Sequence, residues 1–295
     1  MRSTRRAGSR HSVLDTFVPL NNVIERIAIA GYRSIRSIIL RLGQLNVVTG
    51  ANGSGKSNLY RALRFIADAA DGRLAESLSC EGGFDSVRWA GPKKNGKDPV
   101  SLRLGLTADP LSYCFDLGLP PPNEESMFDR DPEMKRECLW RGVGMEPKNL
   151  CADRRVGTLR CRGASGQWQD IEMHLPRQSS MLSEYADPLA APELIIMRET
   201  LRRWRFYDTF RVDARSPSRQ ACVATFTPIM AGDGADLTLA AENSQVIVVS
   251  HNAALVNHLE ADAICVPIRL AKEAGETVLQ DADLLSQYGW KWPSR

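Results

Sequence analysis

Residues 45 to 59 read Leu45-Asn46-Val47-Val48-Thr49-Gly50-Ala51-Asn52-Gly53-Ser54-Gly55-Lys56-Ser57-Asn58-Leu59, and the fold turns on this stretch. Its first five residues are rich in apolar and β-branched types, as a buried strand requires. Gly50 to Ser57 then match G-x-x-x-x-G-K-[ST] in full. The glycines let the backbone turn tightly enough for several N–H groups to face one hollow. A helix is expected over Lys56–Ala70, with Leu59, Leu63, Ile66 and Ala70 on one face. A helix N-terminus behind a glycine loop offers unpaired amide donors and the positive end of a macrodipole to an anion. Lys56 is therefore expected to reach the β- and γ-phosphates of ATP, and the Ser57 hydroxyl to ligate Mg²⁺. The nucleotide-binding set is Gly50, Ala51, Asn52, Gly53, Ser54, Gly55, Lys56, Ser57 and Asn58.

Upstream, the chain divides into strands over Val23–Ala30, Ser37–Leu42 and Leu45–Thr49, separated by Gly31 and Gly43. Two strands thus precede the one that leads into the loop, which speaks against a small-molecule kinase, where the loop follows the first strand almost at once. The stretch 24–63, IERIAIAGYRSIRSIILRLGQLNVVTGANGSGKSNLYRAL, closely resembles the N-terminal lobe of ABC-type ATPases of the RecF, SMC and overcoming-lysogenization-defect group. Tyr32-Arg33-Ser34-Ile35 matches that group's F/Y-R-S-I turn, and Asn52 through Leu59 its N-G-x-G-K-S-N-L loop. The segments SVRWAG at 86–91 and RRWRFYDTFRVDARSPSRQ at 202–220 are similar to its compact AAA-family ATPases.

A second landmark is Ser244–Asn252, SQVIVVSHN, in which Gln245–Val249 is expected to be a short apolar strand. It resembles the group's last core strand, which ends in a switch histidine. The resemblance implies that His251 contacts the γ-phosphate and helps orient the attacking water. A lone histidine capping a helix is the plainer alternative. A helix over Ala253–Leu259 follows, with Asn252 as its cap, and Ile264–Ile268 reads as a further strand.

Two family landmarks are missing from the sequence. The group carries a signature helix, L-S-x-G, and a Walker B strand ending in Asp-Glu, which holds Mg²⁺ and positions water. Asp233–Leu237 resembles the region before the signature and Ala240–Ser244 the region after Walker B, as though a segment around 237–240 were lost. Neither Leu237–Glu242, Arg205–Asp208 nor Asp116 makes a convincing substitute, and no Gln occurs between Gln44 and Gln167. Phosphate binding rests on the loop amides and Lys56, whereas hydrolysis rests on groups around the water. Binding is thus expected to outlast turnover, and a non-hydrolysing, nucleotide-dependent interaction module stands as the alternative.

Between the landmarks, Val87–Ala90 reads as a short strand, Val100–Leu106 and Tyr113–Leu117 as an antiparallel pair, and Pro120–Pro122 as a breaker. Residues 123 to 190 are weakly patterned, with short strands expected at Gly157–Cys161 and Trp168–Met173. A helix over Glu193–Arg205 follows Pro192, its Leu194, Met197, Leu201 and Trp204 sharing a face.

Composition sets the outer bounds. The 295 residues are 43% hydrophobic and 25% charged, ordinary for a globular protein, and no apolar run is long enough to span a bilayer. Arg2, Arg5, Arg6 and Arg10 crowd the N-terminus with no apolar stretch behind them, so an export signal is not expected. An organelle transit peptide or a floppy extension both fit, the extension being the plainer. Without those four, the 38 basic residues fall to 34 against 35 acidic, and net charge gives no argument for nucleic acid. The seven scattered cysteines lack any C-x-x-C and read as free thiols of a cytoplasmic protein. Arg202, Arg203, Arg205, Arg211, Arg215 and Arg219 fit either a DNA-backbone contact or a solvated helix face, and Trp290 and Trp292 read as packing residues.

The expected fold is α/β, a P-loop NTPase sheet with helices on both faces plus an antiparallel β-rich insertion. Residues 1–20 are read as a disordered basic extension, 21–107 as the P-loop lobe, 108–190 as the insertion and 191–295 as a C-terminal lobe. Relatives pair two heads around ATP, each lending its signature, so the resemblance implies a homodimer that this chain is poorly equipped to complete. DNA repair or chromosome maintenance is the setting it implies.

Overall fold

A computed structural model describes residues 23–89, 91–92, 101–121, 131–163, 166–207, 244–280 and 290–295. The basic extension at 1–20, Arg211, Arg215, Arg219 and the junction at 237–240 lie outside these residues.

Two sheets share one α/β core. The first strands, β1 (Ile24–Tyr32) and β2 (Ile35–Arg41), form an antiparallel hairpin. β1 also pairs with β4 (Leu102–Ala108), and β5 (Leu111–Gly118), β6 (Glu133–Arg141), β7 (Leu150–Arg155), β8 (Thr158–Arg162) and β9 (Trp168–Ile171) extend the same ladder. The result is an eight-stranded antiparallel sheet ordered β2-β1-β4-β5-β6-β7-β8-β9. The second sheet is ordered β10-β3-β11-β12, from β3 (Leu45–Gly50), β10 (Val246–Val249), β11 (Cys265–Glu273) and β12 (Glu276–Leu279). Both β10 and β11 run parallel to β3.

Helix α1 (Lys56–Asp71) is packed against elements of both sheets and against α2 (Leu74–Cys80), α4 (Met181–Glu184) and α5 (Pro192–Arg202). Its single apolar face, as read from the sequence, is only part of its burial. Ala62, Phe65, Ala67, Asp68 and Ala69 are buried too, because the helix has neighbours on more than one side. Gly72, at φ 75°, ends it in a left-handed cap. Helix α6 (Ala253–Glu260) packs on β3 and β11, and the Asn252 side chain accepts from Leu255 N at 3.2 Å, the cap the sequence called for.

Other elements differ from the sequence reading. Val87 closes the short helix α3 (Phe84–Val87), leaving only an isolated bridge between Arg88 and Tyr32 where a strand was expected. β6 and β7 occupy the weakly patterned region. Their strands carry charges that are buried in pairs, so apolar alternation does not reveal them. Glu137 and Arg154 are both fully buried, and Glu137 also accepts from Tyr113 Oη at 2.5 Å and Met181 N at 2.8 Å. Asp153 accepts from Arg136 Nε at 2.9 Å and Arg160 Nη2 at 2.7 Å.

The last residues lie over the same sheet. Trp290 stacks edge-on with Trp140 and Trp292, and Arg295 donates twice to Asp116, each at 2.8 Å. Both tryptophans are thus packing residues. One amide ties the two sheets together: Gln245 bonds the Ile24 backbone N–H at 2.9 Å and the Ile24 and Gly43 carbonyls at 2.8 Å each.

Candidate functional site

β3 delivers the chain into the glycine loop at one end of the parallel sheet. Its position there is set by Asn46, buried mid-strand, whose side chain bonds Gly43 N and O and reaches the Val246 carbonyl at 3.1 Å. Gly50, Gly53 and Gly55 adopt φ of 149°, 80° and 107°, a left-handed series that residues with a Cβ rarely tolerate. Through these turns the backbone folds over on itself, with Ser54 N donating to Ala51 O at 3.1 Å.

Helix α1 opens at Lys56 with Gly55 as its cap residue and with no side-chain cap. Its first turn holds no acidic residue; it holds Lys56 instead, against the preference of a helix N-terminus for negative charge. The Lys56 ammonium donates to the Gly50 carbonyl at 2.7 Å and the Ala51 carbonyl at 3.0 Å, spanning the hollow of the loop. Ser54 is 2% exposed, and its hydroxyl has no hydrogen-bond partner. An uncapped helix start, a cation in its first turn and an orphaned buried hydroxyl fit a polyanionic phosphate. Ser57 is exposed at the same helix start, free of the packing that holds Leu59. Ala51, Asn52 and Gly53 form the exposed tip, whereas the Asn58 amide turns aside to donate to Ser34 Oγ at 2.8 Å.

β10 lies in register with β3, Val249 opposite Val48, and Ser250 N donates to Val48 O at 3.2 Å. Both strands therefore release their chains at one end of the sheet, β3 into Thr49-Gly50 and β10 into Ser250-His251. His251 is exposed there. On the other flank of β3, Arg269 and Leu270 of β11 pair with Thr49 and Gly50. None of these six residues is a carboxylate; beyond them β11 ends in Glu273 and β12 opens on Glu276, which pairs with Arg36. β10 is an edge strand among the described residues, and Val249 is 40% exposed, so the strand is less buried than its apolar sequence suggested.

The resemblance motifs meet in space. Arg33 stands at φ 48° between β1 and β2, its N–H bonded to Val87 O at 2.7 Å, and Trp89 N donates to Gly31 O at 2.8 Å. The SVRWAG segment thus docks on the YRSI turn. Tyr32 is fully buried edge-on to Phe65 of α1, and burial pushes its phenol up to about 12. Arg33 and Arg61 share Glu81. Together these contacts lock the first hairpin onto the helix that follows the loop.

With the loop geometry in place, the family can be compared. The family described as "AAA domain, putative AbiEii toxin, Type IV TA system" matches residues 45–239, more than half of the chain. The chain belongs to this AAA-domain family. The matched stretch holds the loop, α1, the antiparallel strands β4–β9 and α5 of a nucleotide-binding ATPase domain. β10, His251 and β11 lie beyond it. Among solved structures, the SMC head domain from Thermotoga maritima is similar with a TM-score of 0.41 and 13% identity, over 88% of this chain and 99% of that one. No curated protein matches the chain. No helix among the described residues is long and apolar enough to cross a membrane.

Proposed function

We propose that this AAA domain binds ATP with Mg²⁺ through Gly50–Ser57. The observation that carries the reading is the start of α1: an uncapped helix N-terminus whose first turn carries Lys56 behind three left-handed glycines. Loop amides and the Lys56 ammonium hold the β- and γ-phosphates, and the buried Ser54 hydroxyl supplies a further donor. The Ser57 hydroxyl is the protein ligand to Mg²⁺, which neutralises charge on the phosphate oxygens when bound. His251, leaving the sheet beside Gly50, faces the γ-phosphate side and orients water through an imidazole nitrogen. Pairing of two heads around ATP, and work on DNA, are supported by the resemblance to RecF- and SMC-type ATPases.

A labelled ATP titrated in the presence of Mg²⁺ tests the assignment. Lys56→Ala removes a charge-assisted donor and should weaken binding by about ten- to a hundredfold. Equal binding by that variant would end the reading.

A second reading, nucleotide binding without turnover, is favoured by one observation: among the described residues, Ser250, His251, Arg269 and Leu270, which flank the loop on β10 and β11, include no carboxylate to place a water. Steady-state phosphate release separates the two. Release no greater than that of Lys56→Ala assigns binding alone. Release above that level, lowered in turn by His251→Ala, assigns hydrolysis.

A further inference from the structure

Both glycines that bracket the loop sit against one distant hairpin. A Cβ on Gly50 would stand 2.3 Å from the Leu270 carbonyl oxygen of β11, and one on Gly55 would stand 2.2 Å from Thr277 Oγ1 of β12. Gly53, at the tip, has nothing within 4 Å. The hairpin β11–β12 therefore seats the two ends of the loop and leaves its middle open.

Thr277 does more than fill space. It is 1% exposed, and its Oγ1 lies 2.7 Å from Ser34 Oγ. Its N–H donates to the Ser34 carbonyl at 2.7 Å, and the Asn58 amide donates to Ser34 Oγ at 2.8 Å. One hydrogen-bonded line thus joins β12, the β1–β2 turn and the first turn of α1, next to Gly55. Valine would fill the same volume, so packing alone does not call for a hydroxyl here.

We infer that Thr277, through Ser34 and Asn58, is a positioning residue for the phosphate loop, holding Gly55 and the first amides of α1 in the orientation that receives the ATP phosphates. The inference rests on the nucleotide assignment above. Thr277 touches no phosphate itself; it acts through the helix start. Preorganised donors bind an anion without first having to be ordered, so loosening them costs affinity.

The test is a titration of fluorescently labelled ATP with Mg²⁺ into the wild type, Thr277→Val, Thr277→Ser, Ser34→Ala, the Thr277→Val/Ser34→Ala pair and Lys56→Ala. Thermal midpoints are read on the same samples. Thr277→Val should weaken binding about three- to tenfold, the worth of one hydrogen bond, with the midpoint little changed. Thr277→Ser keeps the hydroxyl and should bind like the wild type. Ser34→Ala should match Thr277→Val, and the double variant should be no worse than the weaker single, since both cut the same line. Wild-type affinity in Thr277→Val, a Thr277→Ser as weak as it, or losses that add would each overturn the inference. Should Thr277→Val not fold, Ser34→Ala decides alone, by weaker binding or by none. If Lys56→Ala also binds like the wild type, the nucleotide assignment fails with it; if Lys56→Ala is impaired and the Thr277 and Ser34 variants are not, only the positioning role fails.

Discussion

The two sheets of this molecule pair their buried polar groups with different partners. The eight-stranded sheet pairs buried carboxylates with arginines: Glu137 with Arg154, Asp153 with Arg136 and Arg160, Asp116 with Arg295. The four-stranded sheet, which carries the phosphate loop, pairs its buried Asn46 and Thr277 through neutral hydrogen bonds instead. Of its strand residues Val249 is 40% exposed, and the loop it carries holds the orphaned Ser54 hydroxyl. Ion pairs are concentrated in the first sheet, and the phosphate loop is carried by the second. A fully satisfied network fixes a unique core, whereas a binding site needs groups with bonds still to make.

The strongest blow to this contrast is aimed at the first sheet. Glu137→Ala leaves the Arg154 guanidinium buried without its carboxylate and should cost about 3–5 kcal/mol in urea unfolding. The ATP affinity of whatever folded protein remains should hold. An affinity that falls while the folded baseline is intact would show that the two sheets do not divide their tasks.

A gentler probe uses acid. Burial alone would raise the Asp153 carboxyl, but its bonds to Arg160 and Arg136 hold it below its ordinary value of 3.8. A depressed folded-state pKa stabilises fully above the unfolded value and loses that contribution as the pH falls through the folded one. Asp153→Asn should therefore be less stable than the wild type at neutral pH and flatten the decline below about pH 4. Parallel acid curves for the two proteins would remove Asp153 from the account.

The smallest effect is expected at β10, an edge strand among the described residues. Val249→Lys, on β10, should change unfolding free energy by less than about 0.5 kcal/mol. Light scattering should nonetheless fall, because a charge on an exposed edge opposes strand-to-strand association. Scattering that is unchanged would mean the edge is already protected.

Much of the loop's setting is legible in the sequence, and for local reasons. β1 to β3, the loop, the start of α1 at Lys56 and the Asn252 cap of α6 all follow from period, glycine placement and capping chemistry within a few residues. β6 and β7 do not, because residues such as Glu137, Arg136 and Arg154 read as solvated until their partners on neighbouring strands are known. The same blindness hides Thr277. Nothing in Glu276–Leu279 marks it, and its bond to Ser34 spans 243 positions of sequence. Long-range polar partnership leaves no periodic trace.

Gln245 carries a mechanical consequence. Because a single carboxamide grips Ile24 by both its backbone groups and Gly43 by its carbonyl, strand β10 cannot slide along β3 without dragging the root of β1 or rupturing three bonds together. The histidine end of β10 is thereby tethered, through one side chain, to the first hairpin.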